Sequence, residues 1–242
     1  MNSNMRSYVA EAIGTFFLCF CGIAAIVANQ APINSGSGLV GIALAHGLAL
    51  SIAINCFGGV SGAHFNPAVT VAMLVTGRIP GPKAVFYIVS QLVGATIGAF
   101  LVAILFPIAA VKACALGTPL PPDQPWVSAG LVIGVEIVLT YLLITAIFGT
   151  AVDERGKAVK IGAFGIGLTL TAAILACGPI TGASLNPARS FGPALVCAMH
   201  GINEDPWKLH WCYWVGPIAG AVLGALIYDH LILEKPAKPE HK

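Results

Sequence analysis

Long apolar stretches separated by short polar segments dominate the sequence. Six of them approach or exceed the ~20 residues that an α-helix needs to cross a bilayer, and they lie at about residues 8–30, 39–58, 83–107, 127–149, 160–178 and 208–233. The first stretch contains Glu11 and is longer than the apolar core of a signal peptide, so we interpret it as a span. The pattern predicts an all-α membrane protein with six transmembrane helices.

Two further apolar segments are interrupted by the same tripeptide. Asn-Pro-Ala occurs at residues 66–68 in SGAHFNPAVT and at residues 186–188 in TGASLNPARS. Asn is a favoured N-cap and Pro fits the first helical position, so each tripeptide predicts a helix start. About ten helix-compatible residues follow each one, to near Gly77 and Ala198. Such segments would rise about 15 Å, half of a ~30 Å hydrocarbon core, which predicts two re-entrant half-helices.

The segments before the tripeptides are rich in small and hydroxyl-bearing residues. These are Gly58, Gly59, Ser61 and Gly62 in the first copy, and Gly178, Thr181 and Gly182 in the second. We expect both segments to run as extended backbone with unpaired carbonyls. A bilayer tolerates such backbone only where it faces protein or a water-filled cavity.

Corresponding residues in the two halves of the chain recur at a nearly constant offset. Asn66 and Asn186 are 186 − 66 = 120 positions apart, and Glu11 and Glu136 are 136 − 11 = 125 apart. An offset of 126 aligns the third and sixth spans. The repeats cover about residues 8–107 and 127–233 within a single membrane domain, 1–242. Each repeat has an odd number of spans, so the repeats are predicted to be inverted, with a shared site near the midplane.

The two half-helices would enter from opposite faces and meet in the middle of the membrane. Backbone carbonyls would accept hydrogen bonds from a single file of small polar molecules, and the two Asn amides would donate hydrogen bonds at the centre. The positive ends of both helix dipoles point there and oppose cations and protons. The pattern predicts a passive pore for small neutral molecules, with a central constriction made of Asn66, Pro67, Ala68, Asn186, Pro187 and Ala188.

Charge is scarce and unevenly placed. The chain is 57% hydrophobic and 9% charged, against roughly 25% charged in soluble domains. Most basic residues fall at positions that six spans would place on one side: Arg6, Arg78, Lys83, Arg155, Lys157, Lys160, Lys235, Lys238 and Lys242. By the positive-inside rule, both termini are predicted to be cytoplasmic. Because the basic residues spread along one membrane face, no nucleic-acid partner is expected.

The duplicated Asn-Pro-Ala motif and the repeat around it resemble the major intrinsic protein family, the aquaporins and glycerol facilitators, over nearly the whole chain. The resemblance implies a pore in every subunit and a homotetramer. It also implies that Glu11 and Glu136 accept hydrogen bonds from the re-entrant loops, whereas a coupled transporter would use such buried acids as proton carriers.

The resemblance further implies a selectivity filter. Its members lie 20 residues before the first Asn of the motifs, and 12 before, 3 before and 3 after the second, which gives His46, Ile174, Ala183 and Arg189. Arg189 stands where the first copy has Val69, and its guanidinium would repel cations and donate hydrogen bonds. The small Ala183 and the apolar Ile174 predict a wider, less polar aperture than that of strict water channels, with one polar contact restored by His46.

The filter set is similar to those of plant tonoplast aquaporins and ammonia-permeable relatives. We hypothesise water, ammonia and hydrogen peroxide as permeants, with a glycerol facilitator as the alternative and an ion-coupled transporter or a plugged structural protein as further possibilities. Ser190, Ala194 and Tyr213-Trp214 resemble the water-selective branch. No catalytic pair, metal cluster or cofactor motif is found, so no enzyme, metal or cofactor is expected.

Two smaller features remain open at this point. His64 lies two residues before Asn66, where it could line the pore or brace the loop. Residues 107–126, with Pro119, Pro121, Pro122 and Pro125, are predicted to form an irregular extracellular loop.

Overall fold

The fold is a bundle of ten α-helices in a computed structural model that describes residues 3–234. The predicted basic residues Lys235, Lys238 and Lys242 lie outside the described residues. The helices are α1 Ser3–Ala28, α2 Gly38–Ser61, α3 Pro67–Val75, α4 Gly81–Leu105, α5 Ile108–Ala113, α6 Ala129–Ile147, α7 Glu154–Lys157, α8 Gly162–Thr181, α9 Pro187–His200 and α10 Cys212–Ile227. Within residues 3–234, no strand occurs.

Six helices are long and apolar enough to cross a membrane, as the hydrophobic pattern predicts. They are α1, α2, α4, α6, α8 and α10, and a π-helical turn extends α6 to Val152 and α10 to Ile232. Their mean hydropathy lies between 1.5 and 2.4. The prediction of an all-α membrane protein with six spans is therefore confirmed, although the boundaries move by up to five residues.

The two half-helices begin at the prolines of the duplicated motif. In α3, Asn66 is the N-cap and its Oδ1 accepts a hydrogen bond of 2.8 Å from the Ala68 amide. In α9, the Oδ1 of Asn186 accepts one of 3.0 Å from the Ala188 amide. With 9 residues, α3 is a half-span, whereas α9 has 14 and continues past the predicted end to His200.

The prediction of long extended segments before the half-helices is wrong. Helix α2 continues through Gly58, Gly59 and Ser61, and α8 continues through Gly178 and Thr181. Continued helix satisfies the backbone hydrogen bonds that extended chain would leave open in a bilayer. Only residues 62–66 and 182–186 separate each long helix from its half-helix, and we call the four residues before each capping Asn, 62–65 and 182–185, the re-entrant loops.

Each re-entrant loop starts with a glycine in a left-handed conformation. Gly62 has φ 87° and Gly182 has φ 83°, and their amides bond to the carbonyls of Gly58 and Gly178. A positive φ disfavours residues with a Cβ, so glycine ends the helix and reverses the chain here at little cost.

The long helices pack in the same pairs in the two halves. Helix α1 packs on α4 as α6 packs on α10, and α2 crosses α8. A Cβ at Gly94 would overlap the Ala12 carbonyl oxygen of α1, and one at Gly220 would overlap the Ile137 carbonyl oxygen of α6. Small residues therefore let the helix backbones approach closely. This recurrence supports the two-repeat division, which stays a prediction.

The connection between α4 and α6 is more ordered than the sequence indicates. Residues 107–126 contain the short helix α5 and a 3-10 turn at Ala115–Gly117, in place of a wholly irregular loop. The turn packs against α1 and α9. It brings the Gly117 carbonyl to the Arg189 guanidinium, at 3.0 Å.

A charged cluster ties the α6–α8 connection to the end of the chain. Asp153 caps α7 through the Arg155 amide, at 2.9 Å, and accepts a hydrogen bond of 2.6 Å from the Arg155 guanidinium. Tyr228 donates to the same carboxylate at 3.3 Å, and Arg155 also pairs with Glu234 at 2.9 Å. Although charged, Asp153 is only 4% exposed, so its contacts are sheltered from water.

The Asp153 carboxylate is expected to stabilise the fold in a pH-dependent way. The Arg155 guanidinium lowers the pKa of Asp153 from 3.8 to about 2. A carboxyl group with a lowered pKa stabilises the folded state above its unfolded pKa and loses this contribution as pH falls through the folded pKa. Asp153→Asn should therefore lower the Tm at about pH 7, and this difference from wild type should shrink by about pH 2.

Scanning fluorimetry in detergent measures both Tm values. Glu154→Gln is the matched control, because Glu154 is exposed and its one ion pair within residues 3–234 is with Lys157, which is also exposed. An Asp153→Asn difference that is equally large at both pH values would contradict the assignment.

Candidate functional site

The asparagines of the two motifs lie at the junction of the half-helices. Asn66 Nδ2 donates a hydrogen bond of 2.8 Å to the Leu185 carbonyl, and Asn186 Nδ2 donates one of 2.9 Å to the Phe65 carbonyl. Each amide thus binds the opposite re-entrant loop, which ties the two loops together. An amide NH₂ has two donors, so one N–H of each Asn is left for the lumen that both residues line. The other motif residues are buried behind them: Pro67, Ala68, Pro187 and Ala188.

Glu11 holds the first re-entrant loop from α1. Its carboxylate accepts hydrogen bonds from the Ser61 hydroxyl at 2.6 Å, the His64 amide at 3.0 Å and the Phe65 amide at 2.7 Å. These loop amides have no helical partners, so the carboxylate satisfies donors that would otherwise be bare in the bilayer.

Glu136 does the same for the second re-entrant loop from α6. Its carboxylate accepts hydrogen bonds from Thr181 Oγ1 at 2.8 Å, the Ser184 amide at 3.0 Å and the Leu185 amide at 2.8 Å. Each donor stands 120 positions after its counterpart at Glu11. Both oxygens of each carboxylate accept hydrogen bonds from the loop or its flanking hydroxyl, the arrangement expected of structural acids.

Sequence reasoning missed three side chains that support the loops. Tyr87 donates a hydrogen bond of 2.7 Å to the Ser61 carbonyl, and Tyr213 donates one of 2.6 Å to the Thr181 carbonyl. The offset of 126 between the tyrosines was the signal for this role. The third is Gln91, whose Nε2 donates to Glu11 at 2.8 Å and which has no equivalent in the second repeat.

Two chambers make up the lumen. The inner chamber, of about 60 Å³, is lined by residues 62–66 and 183–186 on one side. Its other wall is aliphatic and includes Leu50, Ile54, Leu143, Ile147, Ile166 and Leu170. The outer chamber, of about 190 Å³, lies beneath residues 117–120. The two chambers have only His46 and Arg189 in common, so they meet at this pair.

A hydrogen bond joins the two side chains at this meeting point. Arg189 Nη2 lies 3.2 Å from His46 Nε2, and His46 Nδ1 lies 2.8 Å from the Ile42 carbonyl. A guanidinium only donates, so Nε2 must accept and Nδ1 must carry the proton. The imidazole is therefore neutral and fixed in one tautomer. Both residues are buried, with His46 2% exposed and Arg189 4% exposed.

The other two predicted filter residues lie on either side of this pair. Ile174 lines the outer chamber and Ala183 lines the inner chamber. The sequence predicts that His46 offers a polar contact to the permeant. In the structure, both ring nitrogens of His46 already have hydrogen-bond partners within the protein. Arg189 lines both chambers and has five N–H donors, of which the bonds to Gly117 and His46 use two, so the unpaired donors at this level belong to Arg189.

His64 both lines the lumen and braces its loop. It faces the inner chamber, and its Nδ1 lies 3.1 Å from Thr70 Oγ1. The ring also packs edge-on against Tyr87, with the ring centroids 5.1 Å apart. The two roles left open by the sequence are therefore both present.

Half-helices that meet inside a six-span bundle, with a chamber on each side of a buried guanidinium, define the class of membrane channels. The sequence profile of the Major intrinsic protein family matches residues 1–228. The chain belongs to this family, and it is a passive membrane channel for water and small solutes.

Curated relatives and a solved structure agree with this assignment. The chain is 38% identical to aquaporin TIP4-4 of Zea mays, over 95% of this chain and 87% of that protein. It is 40% identical to the probable aquaporin AqpM of Archaeoglobus fulgidus, over 95% and 98% of the two chains. The aquaglyceroporin from Plasmodium falciparum superposes with a TM-score of 0.83 at 25% identity, over 95% and 97% of the two chains.

Removing the charge of Glu136 should destabilise the second re-entrant loop. In Glu136→Gln, the new NH₂ group faces at least one loop donor and leaves it unpaired, at a cost of about 1–3 kcal/mol. We expect a lower Tm in detergent and slower water flux in proteoliposomes.

The control is Glu204→Gln, because Glu204 is exposed. An unchanged Tm and water flux in Glu136→Gln would contradict the role assigned to this carboxylate.

Proposed function

We propose that the chain conducts water, ammonia and hydrogen peroxide through a filter formed by His46, Ile174, Ala183 and Arg189, and excludes ions and protons. The observation that carries this proposal is the pair of chambers that meet at His46 and Arg189. Any solute that passes between the chambers must pass these side chains.

Ion exclusion is supported by the charges around the lumen. One hydrogen bond at each Nη atom holds the Arg189 guanidinium beside the meeting point. The amino ends of α3 and α9 add positive potential at the junction of the half-helices. A cation would lose its hydration between two positive regions, whereas a neutral solute would exchange its hydrogen bonds with the lumen.

The choice of neutral solutes follows from the polarity of the filter. Leaving water costs free energy unless the filter supplies compensating hydrogen bonds. Ile174 supplies none and both nitrogens of His46 are occupied, so hydrogen bonds to a permeant come from the unpaired N–H groups of Arg189. A filter whose donors come from one side chain discriminates less against weakly hydrated solutes such as ammonia. Ala183 adds room for hydrogen peroxide.

Glycerol transport is the second candidate, because the Plasmodium falciparum neighbour is an aquaglyceroporin. Glycerol has three hydroxyl groups whose hydrogen bonds to water the filter would have to replace. Its carbon backbone also needs more room than the smaller solutes. The filter offers donors from Arg189 alone beside an imidazole whose two nitrogens are already bonded, which favours the smaller solutes.

Stopped-flow measurements on proteoliposomes test the permeants. Wild type should raise water and ammonia permeability well above that of empty liposomes, with little effect on glycerol. Ile174→His adds a hydrogen-bonding side chain and should lower the ratio of ammonia to water permeability severalfold, while Ile174→Val preserves it.

Three outcomes would contradict the proposal. They are ammonia flux no faster than in empty liposomes, glycerol flux faster than water flux, and flux that depends on an ion gradient. The second favours the glycerol facilitator and the third favours a coupled transporter.

We also propose that both termini are cytoplasmic and that Arg78, Lys83 and Arg155 face that side. An even number of spans returns the chain to the side where it started, and basic connections favour the cytoplasm. Arg78 pairs with Asp229 at 2.6 Å, which keeps this connection beside the end of α10.

The family resemblance supports a homotetramer with one pore in each subunit. With a chain mass of 24.8 kDa, the expected assembly has a protein mass of 4 × 24.8 = 99.2 kDa. Light scattering in mild detergent, corrected for the detergent, measures this mass. A protein mass close to that of one chain would contradict the tetramer.

A further inference from the structure

Gly22 is a buried glycine in the middle of α1 that lies against the His46 ring. A Cβ built at Gly22 would overlap three ring atoms of His46: Nε2, Cδ2 and Cε1. The imidazole therefore occupies the space that a side chain at position 22 would fill. Glycine is disfavoured relative to alanine inside a helix, so the local structure of α1 gives no reason for it.

The ring cannot move away from Gly22 without losing its partners. Its Nδ1 is bound to the Ile42 carbonyl one turn earlier in α2, and its Nε2 accepts a hydrogen bond from Arg189. A methyl group at Gly22 would overlap the same nitrogen that accepts from Arg189. The ring would have to shift toward the lumen, or the bond between the two filter side chains would break.

The second repeat has no glycine and ring at the positions that correspond to Gly22 and His46. Gly22 corresponds to Ile147 at the offset of 147 − 22 = 125, and His46 corresponds to Ile166 at 166 − 46 = 120. Both isoleucines line the inner chamber. Two branched aliphatic side chains in one half are therefore replaced by an absent side chain and a flat ring in the other. The difference falls where the two chambers meet.

We propose that Gly22 is a specificity-determining residue of the channel, which acts by positioning the His46 imidazole against Arg189. Gly22 itself touches no permeant. The inference rests on the proposed function, because it requires His46 to be part of the filter. It adds a residue of α1 to a filter otherwise drawn from α2, α8, the second re-entrant loop and α9.

Four variants reconstituted in proteoliposomes test the proposal: Gly22→Ala, His46→Ala, the double variant, and Gly134→Ala as the control. Gly134 is exposed in α6, and a Cβ there meets no atom within 4 Å. Water, ammonia and glycerol permeability are measured for each, together with the Tm in detergent.

Gly22→Ala should lower water and ammonia permeability by about tenfold, which corresponds to a barrier higher by about 1.4 kcal/mol. The double variant should have the permeabilities of His46→Ala, because the added methyl group no longer meets a ring. Gly134→Ala should match wild type. Rescue by removal of the ring separates positioning of His46 from general damage to helix packing, which removal of the ring would not repair.

The proposal is overturned if Gly22→Ala conducts like wild type. It is also overturned if the Gly22→Ala substitution lowers permeability by the same factor in the His46→Ala background as in wild type. If Gly22→Ala does not fold, folding and activity of the double variant support the proposal, and their loss overturns it. Failure of the proposed filter gives a different result, since His46→Ala alone would then leave all three permeabilities unchanged.

Discussion

Two buried carboxylates make the rest of the structure possible. The re-entrant loops place non-helical backbone within a bilayer, where each unpaired amide costs several kcal/mol. Glu11 and Glu136 each accept two loop amides and one hydroxyl, so the chain can turn back and start a half-helix at mid-depth. The same hydrogen bonds offset the free-energy cost of burying the two carboxylates. Without this exchange, neither loop could line a lumen.

The scaffold is nearly symmetric, whereas the residues of the proposed filter lie at places where the two halves differ. The carboxylate bonds, the capping asparagines and the tyrosine bonds all recur. Arg189 replaces Val69, and His46 faces Gly22 where the other half has two isoleucines. A symmetric framework therefore carries an asymmetric filter on one side of the junction.

Hydrogen-bond geometry fixes the protonation state of His46 beside the charged Arg189 in the proposed filter. Arg189 can only donate, and this property makes His46 an acceptor at Nε2 and a donor at Nδ1. The imidazole is thus held as a neutral wall of the passage, while the charged guanidinium lines both chambers. A fixed positive charge in the wall opposes cations and leaves neutral solutes unaffected.

The sequence by itself determined the spans, the half-helix starts and the pairing of Glu11 with Glu136, because these depend on hydrophobic length, capping residues and a repeat. Tertiary structure alone decided the helical course of residues 58–61 and 178–181, and the bond between His46 and Arg189. Side chains 143 positions apart meet only through helix packing. The role of Gly22 was equally hidden, since what matters there is the space that an absent side chain leaves for a residue on another helix.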